Sequence, residues 1–313
     1  MRRFLTTLVL MAGFASPARA EPLDRREIAA DARWVVHVDF DAARSATVAR
    51  KVLDGWLARE SVQRGLEQIE AAVGTDLEED LHSASLYGSR FAPQTGVVIV
   101  RAEVDGQRVR EFVGKLPDFR AGLHGGHELY TWTQDKGKSN ERPVTGCVVG
   151  SGIIVFGQNA DDVKKALDVL DGKLPRLAGS GSLLDRDAPA GTIVQAGAVR
   201  LAEAELPFQS PIVQQCQLLA MAAGEQDGVV FVRGESTMKS DEVADQVKTI
   251  VEGFIAIAKL QYSDEEELVE ILRAVTVTKA EKTVRVEWRG SAEKVLKLVE
   301  KAWAKQLQQK QDD

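Results

Sequence analysis

GVVIVR stands at residues 96–101 and GVVFVR at residues 228–233, an offset of 132. Each is a short, glycine-led run rich in β-branched residues, apolar at both alternating sets of positions, as a strand covered on both faces requires. A second pair keeps the same offset: ADDVKKAL at 160–167 and AEKVLKLV at 292–299. Two anchors at one spacing and in one order predict an α+β fold of two related halves, each an antiparallel sheet with helices on one face. In such a fold the GVV strands are central and meet where the halves join. Val98 and Val230 then take matching inward positions, with Ile99 and Phe231 matching on the other face.

Working outward, WVVHVDFD (34–41) alternates, with Trp34, Val36, Val38 and Phe40 on one side and His37, Asp39 and Asp41 on the other. This predicts a strand with the apolar side inward and the polar side wet. Apolar residues at three- and four-residue steps predict helices between about 42 and 73. SASLYGS, GVVIVRAEV and HELYTWT read as strands, and VTGCVV with GIIVFG as a hairpin turning at Gly150–Gly152. The Gly-, Ser- and Pro-rich text DGKLPRLAGSGSLLDRDAPA (171–190) reads as a linker. Beyond it, strands are expected over 191–201 and on both sides of Asp227–Gly228. A long amphipathic helix is expected from Asp241, a capping box at Ser263 and Glu266, a hairpin near 280–282 and a last helix from Ser291. SPIVQQCQLLAM is ambiguous between helix and strand. The units are thus 21–172 and 191–313, joined by a linker at 173–190.

The first twenty residues, MRRFLTTLVLMAGFASPARA, carry a basic start, an apolar run and a small-residue cleavage pattern, the grammar of a secretory signal peptide. They predict a periplasmic or secreted protein of the bacterial envelope that starts near Glu21 and keeps no membrane span. Removing Arg2, Arg3 and Arg19 turns 40 basic against 47 acidic residues into 37 against 47, a net charge of −10. That balance disfavours nucleic acid and anionic membrane surfaces as partners. Two cysteines, Cys147 and Cys216, lie in a compartment that would let them pair. Their spacing does not decide whether they do.

GTDLEEDLHSASLYGS, GVVIVRAEVD, TIVQAG and GEQDGVVFVRGES together resemble segments of a loose group of exported bacterial proteins of unknown function. In that group the mature part opens with Ala-Asp-Ala ahead of a valine-bearing strand and repeats an α+β unit. The resemblance covers most of the mature chain. It implies the architecture and carries no catalytic or binding residues.

Candidate chemistry is sparse. His37, Asp39 and Asp41 offer metal-type donors on one strand face, but neighbours at alternate positions stand side by side rather than converging. HGGHELY brings His124 and His127 near Glu128, a spacing zinc sites use with a second ligand pair elsewhere. A turn before a strand explains its glycines equally. Gly150–Gly152 leads into a strand, not into the helix a phosphate loop needs. GSGS at 179–182 lacks the strand–turn–helix setting of a nucleophile elbow. The acidic stretches 75–81 and 263–270 lack the ligand spacing of a calcium loop.

No cofactor is expected. The sequence therefore predicts a non-catalytic binding or scaffolding protein of the envelope, its partner another envelope protein or macromolecule. The alternative is a periplasmic hydrolase or metal-dependent enzyme using the His37/Asp39/Asp41 face or the His124/His127 turn.

Overall fold

The computed structural model describes residues 22–92, 94–204 and 211–312. The export signature and the expected start at Glu21 lie outside the described residues. The fold is α+β. It rests on one antiparallel sheet of twelve strands, in the order β11-β12-β10-β9-β8-β1-β2-β3-β7-β6-β5-β4. The first seven in sequence are β1 (Trp34–Asp39), β2 (Leu81–Gly88), β3 (Val97–Ala102), β4 (Arg120–His124), β5 (His127–Gln134), β6 (Arg142–Val149) and β7 (Ile153–Gly157). The other five are β8 (Thr192–Val199), β9 (Cys216–Gln226), β10 (Val229–Met238), β11 (Thr276–Ala280) and β12 (Thr283–Ser291). The ambiguous SPIVQQCQLLAM resolves into both types, since α7 (Pro211–Gln215) runs directly into β9.

Helices start where a short polar side chain can accept from the first free amides. Asp39 caps α1 (Phe40–Ser45), Asp76 caps α4 (Leu77–Asp80) and Asp105 caps α5 (Gly106–Val113). Asn159 caps α6 (Ala160–Leu170) and Ser240 caps α8 (Asp241–Gln261). The expected capping box at Ser263 does not form, because α9 (Glu266–Ala274) begins after Glu265 with no side-chain cap. Between β1 and β2 lie α2 (Thr47–Leu57) and α3 (Glu60–Val73), and α10 (Ala292–Asp312) follows β12. The hairpin between β9 and β10 turns at Asp227 and Gly228 with φ of 51° and 72°, the left-handed pair of a two-residue turn.

The halves meet at β1 and β8, which pair antiparallel from Trp34–Ala198 to Val38–Val194. This corrects the expected meeting of the GVV strands: β3 and β10 are interior, but neither is at the seam. Strand order does run in parallel on the two sides of that seam. Two details depart from a copy, and duplication is not established. Val97 pairs with Gly157, whereas Val229 pairs with Ser291, two residues beyond the Arg289 that the offset demands. Moreover, α6 packs on the face carrying Ile99 and Val155. Its sequence counterpart α10 lies on the opposite face, where Val295 and Leu298 meet Trp288. Helices therefore occur on both faces, not one.

The larger core cluster lies on the Ile99 face. There α6 gives Val163, Ala166 and Leu167, while Ile28, Leu177 and Leu184 come from the segments flanking the first half. The stretch read as a linker is thus a strap against the sheet, with Leu177 N–H donating to Ile28 O at 2.7 Å. On the other face, α5 packs Val109 and Val113 against Tyr130, and α8 packs Ala244 and Val247 against Met238 and Val284.

Candidate functional site

The alternation of β1 is buried the opposite way from the sequence expectation. His37, Asp39 and Asp41 are at most 4% exposed, whereas Val36 is 37% exposed. The reason is tertiary: the polar side of β1 is the side that α6 and the flanking strap cover. Each polar group there has a local use. His37 Nδ1 lies 2.9 Å from Ser85 Oγ on β2, and Asp39 Oδ1 accepts the Ala42 amide at 2.7 Å as the cap of α1. Asp41 lies beyond the strand, within α1, where it binds Arg44 and, at 3.1 Å, His82. Arg44 also donates to Leu81 O at 2.9 Å, so the trio clasps α1 to the start of β2.

The structure therefore separates Asp41 from His37 rather than setting the three candidates side by side. His37 with Ser85 has the outline of a base and nucleophile, but a nucleophile must reach substrate, and both are sealed under the core.

The second candidate is better connected than its sequence suggested. His124 and His127 are cross-strand partners at the β4–β5 turn. They face two carboxylates of the α6 C-terminal end that sequence reasoning missed. His124 Nε2 lies 3.0 Å from Asp168, and His127 Nε2 lies 2.9 Å from Asp171. Lys173 Nζ binds Asp171 at 2.7 Å, and Lys173 and then His127 hold the Asp171 carboxyl below its ordinary value. Each histidine has its own carboxylate, so the arrangement is two adjacent histidine–carboxylate contacts between a hairpin and a helix end. Among the described residues no group of three or more His, Cys, Asp or Glu side chains converges as a metal site. Cys147 and Cys216 are free and buried. They sit six strand spacings apart, roughly 29 Å at about 4.8 Å each, far beyond disulfide reach. Burial pushes the Cys147 thiol up to about 11.

What the sheet leaves accessible is apolar. One row of cross-strand neighbours runs Tyr130, Gly146, Phe156, Val98, Leu86, Val36, Ala196, Met221, Gly234, Val286, Val277. It crosses eleven strands without a charge. The adjacent row, Val148 to Trp288 through Val100, Val38 and Val232, is apolar at all nine positions. On this face Val36, Leu86, Leu219, Met221 and Val232 are 37–51% exposed.

The helices of this face touch the sheet without closing over its centre. Helix α2 is held by Glu225 of β9, whose carboxylate accepts the Thr47 and Val48 amides at 3.0 Å each. Helix α8 buries Ala244 and Val247 in its first half but leaves Phe254 67% and Leu260 78% exposed in its second. Two clefts open on this side. One, of about 730 Å³, has Leu86, Val98, Phe156 and Trp132 among its walls. The other, of about 450 Å³, lies between α9, α10 and β12 and includes Trp288. Val98, expected inward, is thus half-buried on this open side, while Ile99 and Phe231 are the sealed pair.

No protein-family model matches the sequence, and no curated protein is similar to it. Solved structures of similar outline include crystal forms III, IV and I of TP0453. Each shares 8% identity with this chain and covers 90% of it and 97–99% of the other, at TM-scores of 0.49, 0.45 and 0.48.

Proposed function

We propose that this is an exported, non-catalytic binding protein of the bacterial envelope, whose open apolar sheet face receives its partner. One observation carries the reading: the first half of the sheet buries its histidine- and carboxylate-bearing face, while the uncharged face stays accessible at Val36, Leu86, Met221 and Val232. Exposed apolar side chains scattered singly are ordinary on protein surfaces, whereas a contiguous apolar patch marks an interaction site. The residues at 1–20 support the export part of the reading, because their pattern is that of a secretory signal. Among the described residues no helix is long and apolar enough to cross a membrane. The hydrolase alternative draws no support from His37 and Ser85, which are buried at 3% and 4% exposure.

The test is binding of an environment-sensitive apolar dye to the folded protein. The expected result is saturable binding by the native chain that falls severalfold in a Leu219→Asp, Met221→Asp double variant. Both positions are surface positions, so each change shifts stability by only about 0.5 kcal/mol. Dye binding that is absent from the native chain, or unchanged in that variant, would remove the reading.

A further inference from the structure

The 730 Å³ cleft has a composition that selects one kind of occupant. Resting on the reading of the open face as a binding surface, we propose that it is a site for a long-chain fatty acid, an anionic amphiphile with a single acyl chain. Its volume falls in the range of about 300–1,000 Å³ typical of small-molecule pockets. Much of its lining is hydrocarbon: Leu86, Val98 and Phe156 rise from the sheet, Phe112 and Leu116 come from α5 and the turn after it, and Trp132 comes from β5, while Gln94, Thr95 and Gln158 add uncharged polar groups. An acyl chain laid against those apolar walls removes apolar surface from water.

Charge enters only at the mouth, and there cations outnumber anions. Lys136, Lys138 and Arg142 border the cleft together with Asp135. Lys136 is tied to Asp118 at 2.6 Å and Lys138 to Asp135 at 2.9 Å. Asn140 donates to the other Asp135 oxygen at 2.7 Å. Glu141 does not border the cleft and accepts the Gly137 amide at 2.7 Å. Arg142 donates to the neutral Gln134 Oε1 at 3.2 Å and makes no ion pair among the described residues. Arg142 feels the Asp135 carboxylate through space, but Lys138 and Asn140 take the two Asp135 oxygens. Its guanidinium therefore makes no direct carboxylate contact among the described residues and is complementary to a carboxylate whose hydrocarbon tail lies against the apolar walls. The same mouth gives the hydroxyl of a neutral chain of equal length a hydrogen bond but no charge partner.

The test is displacement of a fluorescent fatty-acid analogue from the full mature chain by palmitate, by cetyl alcohol and by acetate. Palmitate is expected to compete at one site per chain, cetyl alcohol at least about tenfold more weakly, and acetate not at all. Arg142→Gln, at a half-buried position at the start of β6, should weaken palmitate about tenfold and change cetyl alcohol far less, the loss of one charge-assisted hydrogen bond. Val98→Trp, which fills the cleft, should abolish both. Glu281→Gln, in the exposed turn between β11 and β12, should spare both. Equal binding of palmitate and cetyl alcohol, or palmitate binding indifferent to Arg142→Gln, would overturn the proposal. If Met221→Asp removes palmitate while Val98→Trp does not, the occupant lies elsewhere on the open face. The fatty-acid site then falls and the binding reading stands. No binding of any apolar probe would remove both.

Discussion

Which way a single side chain points decides what this protein can do. Val35 and Val36 are neighbours of the same type, yet Val35 is sealed in the core and Val36 is open. No feature of either residue predicts this. The same face carries His37, Asp39 and Ser85 under the core in one half and a charged ladder in the other. There Glu235 binds Arg186, Arg233 and Arg285. Burial alone would push the Glu235 carboxyl up, but hydrogen bonding by Arg285 and the charges of Arg186 and Arg233 outweigh it and hold it below the ordinary 4.5. A depressed folded value means that the group stabilises the fold above about pH 4.5 and that this contribution is lost as pH falls through the folded value. Glu235→Gln should therefore lower stability at pH 7 and make the decline toward acid shallower than in the native chain. Denaturant midpoints across pH 3–7 would check this, and parallel curves would count against it.

Among the elements, those with strong local signals were legible and those whose setting is tertiary were not. The hairpins at Asp227–Gly228 and Gly150–Gly152 and the helix ADDVKKAL follow from turn chemistry and periodicity within a few residues. Helix α2 shows the limit. Its own cap position, Ala46, has no side-chain acceptor, and the missing acceptor is Glu225, from the other half of the chain. Spacing could not reveal that partner. Glu225→Ala should cost about 1–2 kcal/mol, the scale of a lost helix cap, and should raise amide exchange in the first turn of α2. Unchanged exchange at Thr47 and Val48 would show that Glu225 does not hold that helix. The helix pair ADDVKKAL and AEKVLKLV carries the converse lesson. Similar letters gave similar helices, yet α6 and α10 settle on opposite sides of the sheet.

Taken whole, the molecule is one sheet with two unlike faces. Composition and alternation made the α+β class and antiparallel strands readable. The candidate polar sites were readable as residue types and wrong as surfaces, because period-two alternation separates two faces without saying which will be covered. The sealed and open sides were assigned by elements far away in sequence: the strap at 171–190, the N-terminal segment around Ile28, and α6. The same distance concealed Asp168 and Asp171 from the two histidines they bind.

The apolar face of the sheet is the accessible one, and site-directed thiol labelling reads that accessibility residue by residue. Native Cys147 and Cys216 are buried and give a low background. Paired variants report the two faces from adjacent residues: Val36→Cys against Val35→Cys, and Met221→Cys against Ala222→Cys. A polar maleimide should modify positions 36 and 221 within about tenfold of a fully exposed thiol, and positions 35 and 222 only at rates set by opening of the fold. Protection at 36 and 221, with rapid labelling at 35 and 222, would mean that the sheet buries its apolar side after all, and the binding face argued here would not exist.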